Sequence, residues 1–450
     1  MDPELERELR RRAVATRQEL AKALGISQPT FSRMVGASRD HIAVLGRARA
    51  TRYALRRNVR GLGAIFPLYR IDEAGQVAGW GEAQSLEGGK WWAPDLLGGP
   101  ERFYDGFPYY LADLRPQGFM GRAFPLQHSD MDLPQRISDW NEDDIVEALA
   151  SRGNDLMGSL ILGRDSLHAY YRELSRPLEP VLDRDLGSAY PKLAAAAMAG
   201  DPAGSSAGGE QPKFAVFRQG SDGDMPYHVL VKFSPEADGA VAERWRDLLI
   251  AEHIALTVLE EGGVAASASR LHALGGRLFL EMTRFDRCGA RGRRCVVTLG
   301  AVDDEFYGRR DNWIAAAGRL ERDGFLDGAG AETLRVLDSF GGLIGNTDRH
   351  FGNISFLVEP GGRITPAPAY DQLPMRYAPS SGQLVERPPL AVEFPEPAAM
   401  AAWRRALPLA EIFWDAVAHD DRISPTFRAE ALANSLCLYR EARPALDFSA

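Results

Sequence analysis

Apolar positions recur along this chain in more than one rhythm, and each rhythm marks a different kind of segment. In "TRQELAKALGISQPTFSRMV", Leu20, Leu24, Ile26, Phe31 and Met34 fall at helical spacing on either side of Gly25. That pattern suits two short helices crossing at a tight turn, with Ala21 allowing the close approach and Gly25 accepting a positive φ. Ser27 or its neighbour is positioned to cap the second helix, which turns Gln28, Thr30, Ser32 and Arg33 outward. A hairpin-like run, "IAVLGRARATRYALRR", follows with Arg47 and Arg49 at its turn. From Leu62 to Pro191 the pattern shortens. "GAIFPLYRID" and "QVAGWGEAQ" predict strands around the turn "DEAG", "GGKWWAPDLLGGP" predicts a loop, and "WNEDDIVEALASRG" predicts an amphipathic helix with an acidic first turn. Trp91 and Trp92 suit packing against a neighbouring domain better than a peptide-binding face. The Gly-, Ser- and Pro-rich "DPAGSSAGGEQPKF" interrupts this order. Beyond it "YHVLVKFSP" reads as a strand, "DLLIAEHIALTVLEEGG" as a helix, and the tail from "LPLAEIFWDAVAHDD" to "LANSLCLYREARPAL" as helical.

A chain of 450 residues exceeds one ordinary core. The shifts in pattern divide it into residues 1–60, a strand-rich connector over 61–200, and a third unit over 201–445. Its three cysteines show no CxxC spacing, which speaks against a disulfide framework or a zinc site. The start "MDPELERELRRR" lacks an apolar signal core and no apolar run would span a bilayer, so the expected location is the cytoplasm. Net charge is −9, but residues 1–60 carry +8 and the remainder −17. A polyanion partner is therefore expected for the basic end alone, and with the crossing helices and hairpin it points to double-stranded DNA.

The candidate chemistry lies in "GNTDRHFGNI", where Asp348, His350 and Asn353 follow the apolar stretch "FGGLIG". A hairpin, "NISFLV" to "ITPAPAY", then leads to Asp371. Protein kinases carry an Asp, an Asn five residues on, and a metal-binding Asp after a hairpin. Asp348 suits the base that orients an acceptor hydroxyl, while Asn353 and Asp371 offer the hard oxygens that magnesium prefers. His350 suits a contact to Asp348 or to phosphate. Lys232 on its strand and Glu252 on the following helix would supply the phosphate-binding ion pair, although either alone reads as a surface charge. Gly208 and Gly209 would let backbone N–H groups approach phosphate, with Lys213 adding charge. "LFLEMTRFDR" falls where the strand and hinge beside adenine belong.

Taken together, "SSAGGEQPK", Lys232, "RFDR", "IGNTDRHFGN" and "AYD" resemble the HipA family of toxin serine/threonine kinases over roughly the last 390 residues. The basic head departs from the usual member and resembles the YjjJ-like branch. The resemblance implies an α+β fold: a two-lobed kinase with a small α/β lobe and a mainly helical one, preceded by a winged helix-turn-helix. It implies ATP and Mg2+ as cofactors, Asp348 as catalytic base, Asn353 and Asp371 as metal ligands, Lys232 on the phosphates and Ser206 as an autophosphorylated serine. It also implies a protein acceptor, such as an aminoacyl-tRNA synthetase, and allows for an antitoxin and a second copy of the chain as partners. Thr283 stands where a relative has Glu, which leaves backbone groups from Thr283 to Phe285 for adenine. Three rival readings remain at this point. A small-molecule kinase shares the Asp-x-His-x-x-Asn loop, a DNA-binding regulator could carry an inactive kinase domain, and a metal-dependent nuclease could use Asp348, His350 and Asp371.

Overall fold

The structure, a computed structural model, describes residues 1–200, 211–220, 224–236 and 238–442. Ser206, Gly208 and Gly209 lie outside the described residues. Three helices open the chain, Pro3–Arg12, Arg17–Leu24 and Gln28–Ala37. The second begins with a capping box between Thr16 and Glu19, and it ends at Gly25 with φ +63, a conformation glycine adopts without a Cβ penalty. Ser27 caps the third helix. Leu20, Ala21 and Phe31 form the shared core with Leu5, Leu9 and Tyr53, and Leu24, Ile26 and Met34 pack at its edge. The hairpin pairs Ile42–Leu45 with Arg52–Leu55, leaving Arg47 and Arg49 exposed in the turn. Gln28, Ser32 and Arg33 are exposed as expected. Thr30 is not fully outward: it is half-buried, and its hydroxyl lies 3.0 Å from that of Ser27 as part of the cap.

The connector is built on a five-stranded antiparallel sheet. Its order is Arg102–Asp105, Lys90–Ala93, Val77–Leu86, Ile65–Ile71, Leu160–Leu162. The expected loop "GGKWWAPDLLGGP" is thus in part a strand, Lys90–Ala93. Its flanking glycines conceal a four-residue alternation in which Trp91 and Ala93 face the core. The Trp91 indole donates to Glu142 at 2.8 Å. Trp92 points the other way, against a cluster formed by Ala43, Leu45 and Ala54 of the head with Leu86. Arg57, at the exit of the head, reaches Glu142 and Asp143 in the acidic first turn of the helix Glu142–Arg152. Head and connector therefore share apolar and charged contacts.

A second five-stranded sheet follows, ordered Ser269–Leu274, Arg277–Thr283, Tyr227–Phe233, Lys213–Gln219, Val181–Leu182. The helix Ala240–Glu261 packs on it and has neither Gly nor Pro in its 22 residues. It stops at Gly262, where a Cβ would come within 2.5 Å of the Leu409 side chain. Leu409 belongs to the helix Met400–His419, which packs in the C-terminal lobe with Gly328–Leu343 and Pro425–Glu441, while Trp313–Arg322 packs on Gly328–Leu343. Buried Trp414 donates its indole N–H to the Leu343 carbonyl at 3.0 Å. That bond satisfies an end carbonyl of the helix that delivers the "GNTDRHFGN" loop. No described helix is long and apolar enough to cross a membrane.

The "RFDR" sequence joins the connector to the lobes. Buried Asp286 accepts from Arg284 at 2.7–2.9 Å, from Arg287 at 3.1 Å and from the Gly158 amide at 2.9 Å. Burial alone would raise its pKa, but Arg284 and Arg287 hold its carboxyl well below the usual carboxylate range. A depressed folded pKa contributes stability that is complete above the unfolded value near ~3.9 and is lost as pH falls through the folded value. Asp286→Asn is expected to cost about 3–5 kcal/mol, since two buried guanidinium groups lose their carboxylate. It should also flatten the acid limb of stability, and urea midpoints measured from neutral pH down to pH ~1.5 check both effects.

Candidate functional site

The two lobes enclose a cleft of about 520 Å³. Leu230, Met282, Phe285 and Tyr370 form its apolar slot, and Lys213, Asn353 and Asp371 its polar end. These residues come from separate strands and loops, so their meeting is a consequence of tertiary packing.

Lys232 lies on the central strand and is almost fully buried, with Nζ 2.7 Å from both Glu252 carboxylate oxygens. The same Nζ also donates to Asp371. Burial opposes the lysine charge, but Asp371 and Glu252 more than compensate, so its pKa stands above the usual value. Asp371 is also buried by its surroundings, yet Lys232 and then Lys213 hold it below the ordinary carboxylate range. Glu252 shifts the other way because burial outweighs the attraction of Lys232. Lys213 sits directly opposite Lys232 in the antiparallel register. Two like charges at such a position repel, and the adjacent carboxylates offset that repulsion.

Asp371 has φ +53, a backbone region that few residues other than glycine occupy. Buried Asn346 holds it there, donating from Nδ2 to the Asp371 carbonyl at 3.1 Å. Asn346 Oδ1 accepts the Asp348 amide at 3.0 Å, so one side chain fixes both aspartates relative to each other. Asn353 donates from Nδ2 to the Asp348 carbonyl at 2.8 Å, which leaves its Oδ1 as an acceptor. Asn353 Oδ1 and the Asp371 carboxylate are hard oxygen donors beside the two lysines, a set that fits magnesium sharing its shell with phosphate oxygens and water. Asp348 itself is exposed, and His350 Nε2 lies 3.9 Å from its Oδ1. Nδ1 of His350 accepts the Gly352 amide at 3.0 Å. The neutral ring must therefore carry its proton on Nε2, toward Asp348. Burial and Asp371 raise the Asp348 pKa, opposed by His350.

At the hinge, two of the expected backbone donors are already engaged. The Thr283 amide donates to Ala268 and the Arg284 amide to His228, at 2.9 and 3.0 Å. Of the hinge groups expected to meet adenine, this leaves the carbonyls and Phe285, whose ring lies 5.7 Å from that of Tyr370. On the other side of Asp348 an open groove of about 850 Å³ runs past Asn346 and Arg349 to the extended segment 388–395 and Trp403.

Sequence reasoning missed Asn346, although an Asn directly after an apolar run, two places before Asp348, was a usable signal. It also found no chemistry in the connector. Asp113 from that segment lines the cleft and accepts the Thr298 amide and hydroxyl at 2.8 and 2.7 Å. No local spacing could have signalled that contact.

Residues 62–171 match the family model for the YjjJ-like toxin middle domain, and residues 205–431 match the HipA-like C-terminal domain. The chain is 40% identical over 420 residues to Toxin YjjJ of Escherichia coli K12, covering 91% of each. Among solved structures it is similar to a chain of the Shewanella oneidensis MR-1 toxin–antitoxin complex of HipA, HipB and operator DNA. That match has a TM-score of 0.46 and 16% identity, covering 75% of this chain and 85% of that one. The Helicobacter pylori proinflammatory kinase CtkA gives a TM-score of 0.37 at 15% identity, covering 54% of this chain and 94% of that one. With the matched middle domain, the HipA-like C-terminal domain and the extent of the identity, the chain belongs to the YjjJ-like family of HipA-related toxins.

Proposed function

We propose that this protein is an ATP- and magnesium-dependent serine/threonine protein kinase of the toxin type, with a DNA-binding winged helix-turn-helix at its N-terminus. The observation that carries the reading is the pairing of Lys232 and Glu252 with Asp371, which lines the cleft that also receives Asn353. In this reading Lys232 and Lys213 bind the nucleotide phosphates, and Glu252 keeps Lys232 charged and directed. Asn353 and Asp371 hold the metal, which when bound supplies neutralisation of charge on the phosphates. Asp348 accepts the proton of the acceptor hydroxyl as its oxygen takes the γ-phosphoryl group and ADP departs. His350, through Nε2–H, orients the Asp348 carboxylate. The apolar slot beside Phe285 and Tyr370 receives the base.

The open groove beside Asp348 supports a protein acceptor over a small molecule, because a small acceptor needs enclosure to be bound and oriented. An aminoacyl-tRNA synthetase or another translation protein is the acceptor class proposed. Ser206, Gly208 and Gly209 are proposed as the phosphate loop, with Ser206 as a self-modified residue. Gln28, Ser32, Arg33, Arg47 and Arg49 are proposed to meet DNA bases and phosphates, with Thr30 acting through the helix cap.

Incubation with Mg2+ and labelled ATP, followed by mass spectrometry, should find phosphate on the chain itself at Ser206. Asp348→Ala and Asp371→Ala should each lower transfer by about 10²–10⁴-fold. Nucleotide binding with no transfer to self, protein or small molecule would remove the kinase reading. A second outcome concerns pH. Because His350 opposes the upward shift of Asp348, His350→Ala should move the acidic limb of kcat/KM to higher pH, whereas a purely structural role would lower the rate without moving the limb. For the head, Arg33→Ala and Arg49→Ala in the full chain should weaken duplex DNA binding and reduce the salt slope by about one per lost phosphate contact. Fluorescence anisotropy at several salt concentrations measures this, and an unchanged slope would exclude these arginines from the DNA contact.

A further inference from the structure

Away from the cleft, a separate cavity of about 320 Å³ opens where three parts of the chain meet. These are the connector helix Arg164–Leu174, His228 on the central lobe strand, and the short hairpin of Arg287–Cys288 with Gly292–Arg293. It shares no lining residue with the nucleotide cleft. Four arginines line it, Arg176, Arg287, Arg291 and Arg293, against the carboxylates of Asp155 and Glu173, which leaves two positive charges in excess.

The carboxylates do not complete the site. Asp155 is 2.9 Å from Arg287 and 3.7 Å from Arg293, and Glu173 accepts from Asn154 at 2.6 Å. Yet Arg293 and Tyr170, at 6% and 2% exposure, each keep an unanswered polar atom. Among the described residues, Arg293 Nη1 and the Tyr170 hydroxyl have no hydrogen-bond partner. The Arg293 guanidinium lies 5.1 Å from the centre of the Tyr170 ring, and both residues line the cavity. Leaving a buried donor unpaired costs free energy, and more when it is charged. Burial and the neighbouring Arg284 also push the Arg287 guanidinium down to about 10, a sign of crowded cations. Such an arrangement is costly unless something anionic shares it.

We propose that this cavity binds a phosphate monoester dianion of small-molecule size, with Arg293 and Tyr170 at its inner wall and Arg176 and Arg291 at its mouth. Guanidinium and phenol groups are donors that a tetrahedral oxyanion can satisfy with several oxygens at once, and a dianion cancels the two excess charges. The cavity exceeds the volume of phosphate alone, which leaves room for the organic part. Because Arg287 also bonds Asp286, which lines the nucleotide cleft, the ligand would sit one residue contact from the hinge.

The test is calorimetric titration of the full chain with glycerol 2-phosphate at constant ionic strength, beside malonate and inorganic phosphate. The ester should bind, with both comparison anions weaker. Tyr170→Phe and Arg176→Gln leave the nucleotide cleft untouched, and each should weaken the ester by about fivefold to tenfold. Loss of an unpartnered hydroxyl should leave the Tm of ligand-free Tyr170→Phe unchanged or higher, which separates lost binding from lost folding. No binding up to about 10 mM ester, equal affinity for either comparison anion, or unchanged affinity in both variants would overturn the proposal.

Discussion

A single buried ammonium group holds the C-terminal half of this molecule together. Lys232 sits between Glu252 on the long helix and Asp371 after the C-lobe hairpin. Without it, two carboxylates would face each other in a site largely shielded from water, and breaking such a buried arrangement costs about 3–5 kcal/mol. The ion cluster therefore ties strand, helix and C-terminal lobe into one geometry. The same residues are those proposed to receive phosphates, so the contact that orders the ligand-free cleft is also the one a nucleotide would share.

The remainder of the architecture depends on locks between segments that are distant in sequence. Asp286 joins the hinge to the Gly158 amide of the connector, Trp92 packs against the wing of the head, and Trp414 closes the helix that precedes the Asp348 loop. Each lock serves a functional element indirectly by fixing the backbone on which it stands. The backbone conformation of Asp371 is a further instance, since Asn346 and Lys232 together hold a residue in a region it would otherwise seldom occupy.

Much of the site was legible because its residues come in short local motifs. Asp348, Asn353 and Asp371 are linked by a fixed spacing and a hairpin, and Lys232 stands out as a charge in an apolar strand. The first turn of the third helix was equally legible through Ser27 and Gly25. Lys90–Ala93 was not, because glycine-rich flanks mask a strand too short to show its alternation. Thr30 was misdirected because the periodicity that turns it outward does not register the cap hydroxyl beside it. The engaged amides of Thr283 and Arg284 depend on sheet partners that no local pattern reveals.

Local composition and spacing thus determined most of the segments that become strands and helices and marked the polar residues of the candidate site, since capping, periodicity and metal-ligand preference act over a few residues. Tertiary structure decided the pairing of Lys232 with both Glu252 and Asp371, the bridge of Asn346 between two aspartates, and the gathering of Tyr170, Arg176 and Arg293 around one cavity. Those outcomes are set by burial and by approaches that reach from 20 positions, as in Lys232–Glu252, to 139, as in Lys232–Asp371. The physical reason is that a buried charge or donor acquires its partner only when separate elements pack, and the cost of leaving it unpaired selects which packing is kept.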